Sequence, residues 1–206
     1  MKKAVVEFIG TFFLVFAVGM NVIAPGSGNL APIAIGLTLA VMIYAGGHIS
    51  GAHYNPAVTV ALLLRGKCPV GDVVPYIVAQ VLGAGVAALL VGFLKDGSPS
   101  AGELATVPAL LAEFVFTFAL VWVIQNVATA KATEGNSFYG LAIGGTVMVG
   151  AFAVGGVSGA VFNPAVAVGI SIMGLAKWSA IWIYLVAQFA AAVASVSVFK
   201  WINGND

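Results

Sequence analysis

Asn55 and Asn163 are the residues of this chain best equipped to act on something that passes by. Each opens an Asn-Pro-Ala tripeptide (Asn55-Pro56-Ala57 and Asn163-Pro164-Ala165), and the tripeptides sit in matching frames: Ser50-Gly51-Ala52-His53-Tyr54 precedes the first and Ser158-Gly159-Ala160-Val161-Phe162 the second, with Val58 and Val166 following. The chemistry open to them is hydrogen bonding rather than bond making. A carboxamide whose oxygen is tied down as a helix cap presents its N–H donors alone. No nucleophile with an adjacent base, no metal cluster and no nucleotide-binding loop accompanies the pair, so the sequence argues against an enzyme. Cys68 is the single cysteine, which rules out an intramolecular disulfide and paired-cysteine metal spacing. No cofactor and no metal are expected.

The elements that position the asparagines are unusually short. Asn is a good N-cap and Pro a favoured first helical residue, and the apolar runs that follow end at Arg65-Gly66 and at Gly174. A helix of about 10 residues spans only about half of a hydrocarbon core roughly 30 Å thick. Neither helix crosses alone. Residues Gly51, Ala52, His53 and Tyr54, with Gly159, Ala160, Val161 and Phe162, form irregular backbone at membrane depth, tolerated only against protein or a water-filled cavity. Their carbonyls are expected to form a ladder of acceptors flanking the asparagine donors. Both short helices would aim the positive ends of their dipoles, about half a charge each, at one place. Such a path repels cations and protons and passes neutral hydrogen-bonding molecules.

Hydrophobic residues make up 61% of the chain and charged residues 7%, against about 25% charged for a soluble domain. That composition belongs in a lipid bilayer. The apolar stretches are helix-length, unlike the alternating segments of a barrel, and predict six spans near 4–24, 31–48, 71–93, 107–128, 138–156 and 178–201. The halves repeat one another. Ile35-Gly36, Tyr76 and Gln80 recur as Ile143-Gly144, Tyr184 and Gln188, and Glu7-Phe8 with Thr11 recurs as Glu113-Phe114 with Thr117. The reading is a single channel domain over 1–206 with internal repeats of about 1–96 and 107–206. Three spans per repeat make the halves insert with opposite topology, so the short helices enter from opposite faces and meet by their N-termini.

Lys2, Lys3, Arg65, Lys67, Lys131 and Lys200 fall on the side of the termini and Lys95 and Lys177 on the other, which predicts cytoplasmic termini. The opening segment reads as a span and not a cleaved signal, because Glu7 lies inside it and it recurs internally around Glu113. A net charge of +1 gives no hint of nucleic acid. Gly47/Gly51, Gly140/Gly144 and Gly155/Gly159 have the small-xxx-small spacing that lets helices approach closely. His48 and His53 read as hydrogen-bonded structural imidazoles, with a response to pH as the other reading. Tyr76/Gln80 and Tyr184/Gln188, each at i, i+4, read as helix packing. The connection from Lys95 to Thr106 and the Gly135-Asn136 turn carry no recognisable chemistry.

From His48 through Thr59 the chain resembles the first signature of the major intrinsic protein family, the aquaporins and glycerol facilitators. The spans, both short helices and the Glu7/Glu113 pair extend the resemblance over the whole chain. It implies an all-α, aquaporin-like fold of six transmembrane helices plus two re-entrant half-helices in an inverted 3+3 repeat, and a homotetramer with one pore per protomer. It also implies passive transport without a cofactor, in a plasma or inner membrane. The carboxylates matching Glu7 and Glu113 would be buried supports for the re-entrant loops, in keeping with the need of an intramembrane acid for partners; an interfacial charge at a helix end is the alternative.

One departure stands out. Water channels of the family usually carry Arg after the second Asn-Pro-Ala; here Val166 stands there. Counting back from the two asparagines puts Ile35, Ala151 and Ala160 at the other selectivity-filter positions. All four are apolar and the filter carries no fixed charge, which points to a pore for water and small neutral solutes such as urea, glycerol, ammonia or hydrogen peroxide. An inverted-repeat secondary transporter and a poorly conducting structural protein of the same fold are the rival readings.

Overall fold

The structure is a computed structural model that describes residues 1–95 and 99–204. The connection expected from Lys95 to Thr106 and the boundary drawn at residue 96 fall partly outside the described residues. Among the described residues six helices are long and apolar enough to cross a membrane: α1 (Lys2–Val22), α2 (Ala31–Ser50), α4 (Val70–Leu94), α5 (Thr106–Ile124), α6 (Tyr139–Ser158) and α8 (Ile181–Asn203). Between them lie two nine-residue helices, α3 (Pro56–Leu64) and α7 (Pro164–Ile172). Most boundaries fall within two or three residues of the expected spans. The fourth differs in kind, since regular α-helix stops at Ile124 and a π-helical turn, Gln125–Thr129, completes it.

The helices are inside out relative to a water-soluble protein. Ala79, Gln80, Gly83, Ala84, Ala87 and Ala88 lie on the buried face of α4 with Tyr76 and Val91, while Val74, Val78, Leu82, Val86, Leu89 and Phe93 point outward. Lipid solvates large apolar side chains as well as a protein core does. The inward faces therefore carry small residues, which allow close backbone approach, and polar ones that bond one another. Trp178 and Trp201, at opposite ends of the last span, are exposed as residues of an aromatic belt are. The chain is thus an integral, multi-pass membrane protein.

Matching helices of the two halves make matching contacts. α1 packs along α4 as α5 packs along α8, and α2 crosses α6 between the halves. Backbone meets backbone at that crossing. A Cβ on Gly144 would stand 2.3 Å from the Gly36 carbonyl oxygen, and one on Gly36 would stand 2.6 Å from the Gly144 oxygen. Of the expected glycine pairs, the crossing uses both Gly140, where a Cβ would stand 2.8 Å from the Tyr44 ring, and Gly144, while Gly155 meets nothing and Gly51 and Gly159 serve as left-handed helix caps at φ of 86° and 88°. Each half-helix lodges against the opposite half, α3 on α8 and α7 on α4, and the two meet each other. A helix this short is not stable alone in water; here its neighbours hold it.

Candidate functional site

Local sequence explains why the two short helices begin where they do. Asn55 and Asn163 have extended backbones, φ −158° and −157°, and each side-chain oxygen accepts from the two N–H groups at the start of its helix, at 2.9 and 3.4 Å. With the oxygen committed, the NH2 group turns away from its own helix. Asn55 Nδ2 donates to the carbonyl of Phe162 and Asn163 Nδ2 to the carbonyl of Tyr54, both at 2.8 Å. Each asparagine thus closes the loop of the other half. A carboxamide has two N–H donors and this uses one, so the second is left to whatever lies in the cavity.

The loops ahead of the asparagines are strained. Ala52, Tyr54, Ala160 and Phe162 all have positive φ, between 49° and 52°, a left-handed conformation that costs a non-glycine residue about 1–2 kcal/mol. Two carboxylates offset that strain. Glu7 Oε1 accepts from Ser50 Oγ at 2.6 Å and the His53 N–H at 2.9 Å, and its Oε2 accepts from the Tyr54 N–H at 2.6 Å and Gln80 Nε2 at 2.8 Å. Glu113 repeats the pattern with Ser158 at 2.6 Å, Val161 at 2.9 Å, Phe162 at 2.7 Å and Gln188 at 2.8 Å. Both acids are fully buried within the bundle.

Tyr76 and Gln80, with Tyr184 and Gln188, correct the expectation of plain helix packing. Their polar ends reach the loops: Tyr76 donates to the Ser50 carbonyl at 2.7 Å and Tyr184 to the Ser158 carbonyl at 3.0 Å. Recurrence of both pairs at the offset of the asparagines was the available signal. The histidines divide. His53 Nδ1 lies 3.1 Å from Thr59 Oγ1 and the ring meets Tyr76 edge-on, as a structural imidazole would. His48 is exposed on the cavity wall and, among the described residues, has no hydrogen-bond partner; that corrects its expected role.

A cavity of about 860 Å³ lies inside the bundle, lined by residues from near both of its ends. Its wall includes Asn55, Asn163 and all four proposed filter residues, Ile35, Ala151, Ala160 and Val166, together with Gly51 through Tyr54 and Gly159 through Phe162. The N–H groups of His53, Tyr54, Val161 and Phe162 are bound to carboxylates and the carbonyls of Tyr54 and Phe162 to asparagines. No donor among the described residues engages the carbonyls of Gly51, Ala52, His53, Gly159, Ala160 or Val161. Sequence reasoning missed the apolar flank of Val18, Val22, Leu39, Ile43 and Val147, and a polar rim at the terminal end that includes Thr129, Lys131, Thr133, Glu134 and Asn136. The Gly135-Asn136 turn is therefore part of the mouth. Asn136 pins it by donating to the carbonyls of Val127 and Thr133 at 2.7 and 2.6 Å.

A membrane-spanning bundle whose two half-helices meet beside a cavity lined from near both ends is the architecture of a passive transmembrane channel. Residues 1–199 match the family described as Major intrinsic protein. Aquaporin NIP1-3 of Oryza sativa subsp. japonica is 38% identical over 216 aligned positions, covering 100% of this chain and 75% of the relative. Probable aquaporin NIP4-2 of Arabidopsis thaliana is 36% identical over 217 positions, covering 100% and 76%. The solved structure of the aquaglyceroporin from Plasmodium falciparum shares the fold, with a TM-score of 0.79 over 97% of this chain and 95% of that one at 23% identity. The chain belongs to the major intrinsic protein family, whose channels are not enzymes.

Proposed function

We propose that the chain is a passive channel for water and for small neutral solutes of the size of urea, glycerol, ammonia or hydrogen peroxide, and that it excludes ions and protons. The observation that carries this reading is the crosswise pair of asparagine bonds, Asn55 to Phe162 and Asn163 to Tyr54. It uses one N–H of each amide, while the amide oxygens are held by the N–H groups that open each half-helix, and so leaves one donor from each half to the cavity. Beside them the ends of α3 and α7 contribute positive dipole charge. A neutral molecule gains a hydrogen bond there, whereas a cation meets donors and positive potential. Water is oriented by the two donors and hands itself on to the free carbonyls on either side.

Selectivity is assigned to Ile35, Ala151, Ala160 and Val166, which together give a filter without charge and with little bulk. No catalysis, cofactor or metal enters. The protein works as a homotetramer with a pore in each protomer and with both termini cytoplasmic, in a plasma or inner membrane, and its repeats span about 1–96 and 107–206. Reconstituted vesicles test the reading: osmotic shock with sucrose measures water, and the same shock with each solute measures its entry. Solute entry no faster than in empty vesicles overturns the wide filter; flux that saturates or follows a proton or sodium gradient overturns the channel in favour of a transporter.

A further inference from the structure

A second cavity, about 510 Å³, opens on the face that carries the chain termini, between the carbonyl end of α3 and the last turn of α8. Arg65, Lys67, Lys131 and Lys200 stand on its wall, and no carboxylate among the described residues does. Arg65 is the unusual member. It is 7% exposed, its guanidinium lies over the ring of Phe199 with Cζ 4.5 Å from the centroid, and its Nε and Nη2 are buried without a hydrogen-bond partner among the described residues.

Cations at the C-terminus of a helix complement its dipole, and that accounts for Lys200, whose Nζ donates to the Leu64 carbonyl at 2.7 Å. It does not account for Arg65. A guanidinium charge held this deep is strongly unfavourable unless an anion lies close by; stacking on an aromatic ring offsets only part of that, and Nη1, which is not among the sealed atoms, is left to meet an anion in the cavity. The planar fork of arginine flanked by lysine ammoniums is the donor set that binds phosphate oxygens. Basic pockets between spanning helices at a headgroup level are where phospholipids are recognised.

We propose that this pocket is a binding site for a phosphate oxyanion, supplied by a phospholipid headgroup or by free phosphate, with Arg65 as its anchor and Lys67 as a second contact. Lys67 and Lys131 also line the larger cavity, so the site shares a wall with the pore's mouth.

The test uses the full chain in phosphatidylcholine nanodiscs. Phosphatidylglycerol is titrated in and counted by native mass spectrometry, and inorganic phosphate is followed by ³¹P line broadening. Saturable binding is expected, weakened about tenfold or more by Arg65→Gln, the equivalent of about one charge-assisted hydrogen bond. Lys67→Gln is expected to weaken it too, and Lys177→Gln, on the opposite face, to leave it unchanged. Response to the lipid alone assigns a headgroup; response to inorganic phosphate assigns the free ion. If Arg65→Gln fails to fold, Lys67→Gln against Lys177→Gln carries the comparison. The proposal is overturned by saturable binding of neither probe, by acetate competing as well as phosphate, by wild-type affinity in Arg65→Gln, or by equal weakening in Lys67→Gln and Lys177→Gln.

Discussion

Gln80 binds Glu7 inside the bundle, Nε2 to Oε2 at 2.8 Å, while the Gln80 side-chain oxygen has no partner among the described residues. The pair joins α4 to α1, and through the carboxylate both are joined to the loop that carries Asn55. Gln188 and Glu113 do the same between α8, α5 and the loop of Asn163. A charged acceptor saturated by four donors leaves each loop a single arrangement, and that fixes the direction of each asparagine.

Glu113→Gln should therefore damage the protein more than Gln188→Leu. The amide keeps one acceptor oxygen and turns an NH2 toward a backbone N–H, stranding a buried donor at about 1–3 kcal/mol. Thermal unfolding in detergent, followed by fluorescence-detected gel filtration, should show the larger fall in midpoint for Glu113→Gln.

Asn163→Asp is nearly isosteric and keeps the oxygen that caps α7, but it replaces the donor to the Tyr54 carbonyl with a second acceptor. Repulsion between the two oxygens and a negative charge beside the donors should lower water permeability per protomer and raise cation leak. Stopped-flow light scattering, normalised to protein content, and a vesicle potassium-leak assay measure the two effects.

Val166→Arg should reduce solute flux more than water flux. The valine is 5% exposed and borders the cavity next to Ala160 and Ala151, so a long side chain narrows the filter and adds fixed positive charge. The ratio of glycerol to water permeability in matched vesicles is the readout, and a ratio equal to wild type refutes the assignment of Val166.

Gly144→Leu should separate α2 from α6. Even a methyl group would come within 2.3 Å of the Gly36 oxygen, which helix backbone cannot relieve without moving. Loss of the folded gel-filtration peak is expected, whereas Gly145→Leu, where a Cβ meets nothing, should retain it.

Cys68 should resist thiol reagents. It lies in the connection between α3 and α4, 6% exposed, with burial chiefly and the Asp72 carboxylate secondarily holding its pKa above that of a free cysteine. Because the thiolate is the nucleophile, maleimide addition at neutral pH should run slower than on a denatured control and should accelerate as pH rises. Intact-mass time courses check both.

Much of this was legible in residue order. The membrane class, the six spans and the two short helices were readable because transfer into lipid depends on composition along a stretch, and capping by Asn55 and Asn163 depends on neighbours two and three residues away. The halves could be matched because they repeat. The roles of Tyr76 and Gln80 were not legible, since their partners Ser50 and Glu7 stand 26 and 73 residues away and an i, i+4 pair looks the same whether it packs or reaches a loop. His48 and His53 are near neighbours that only three-dimensional surroundings could separate.

By itself, then, the sequence determined which segments enter the bilayer, where the half-helices start and which residues come in pairs, all properties set by local chemistry and repetition. Tertiary structure alone decided that each asparagine closes the other half's loop, that Glu7 and Glu113 hold four left-handed residues in place, and that Arg65 is buried over Phe199. Those are meetings of distant residues, and their energies depend on distance, direction and exclusion of water, which exist only once the chain has packed.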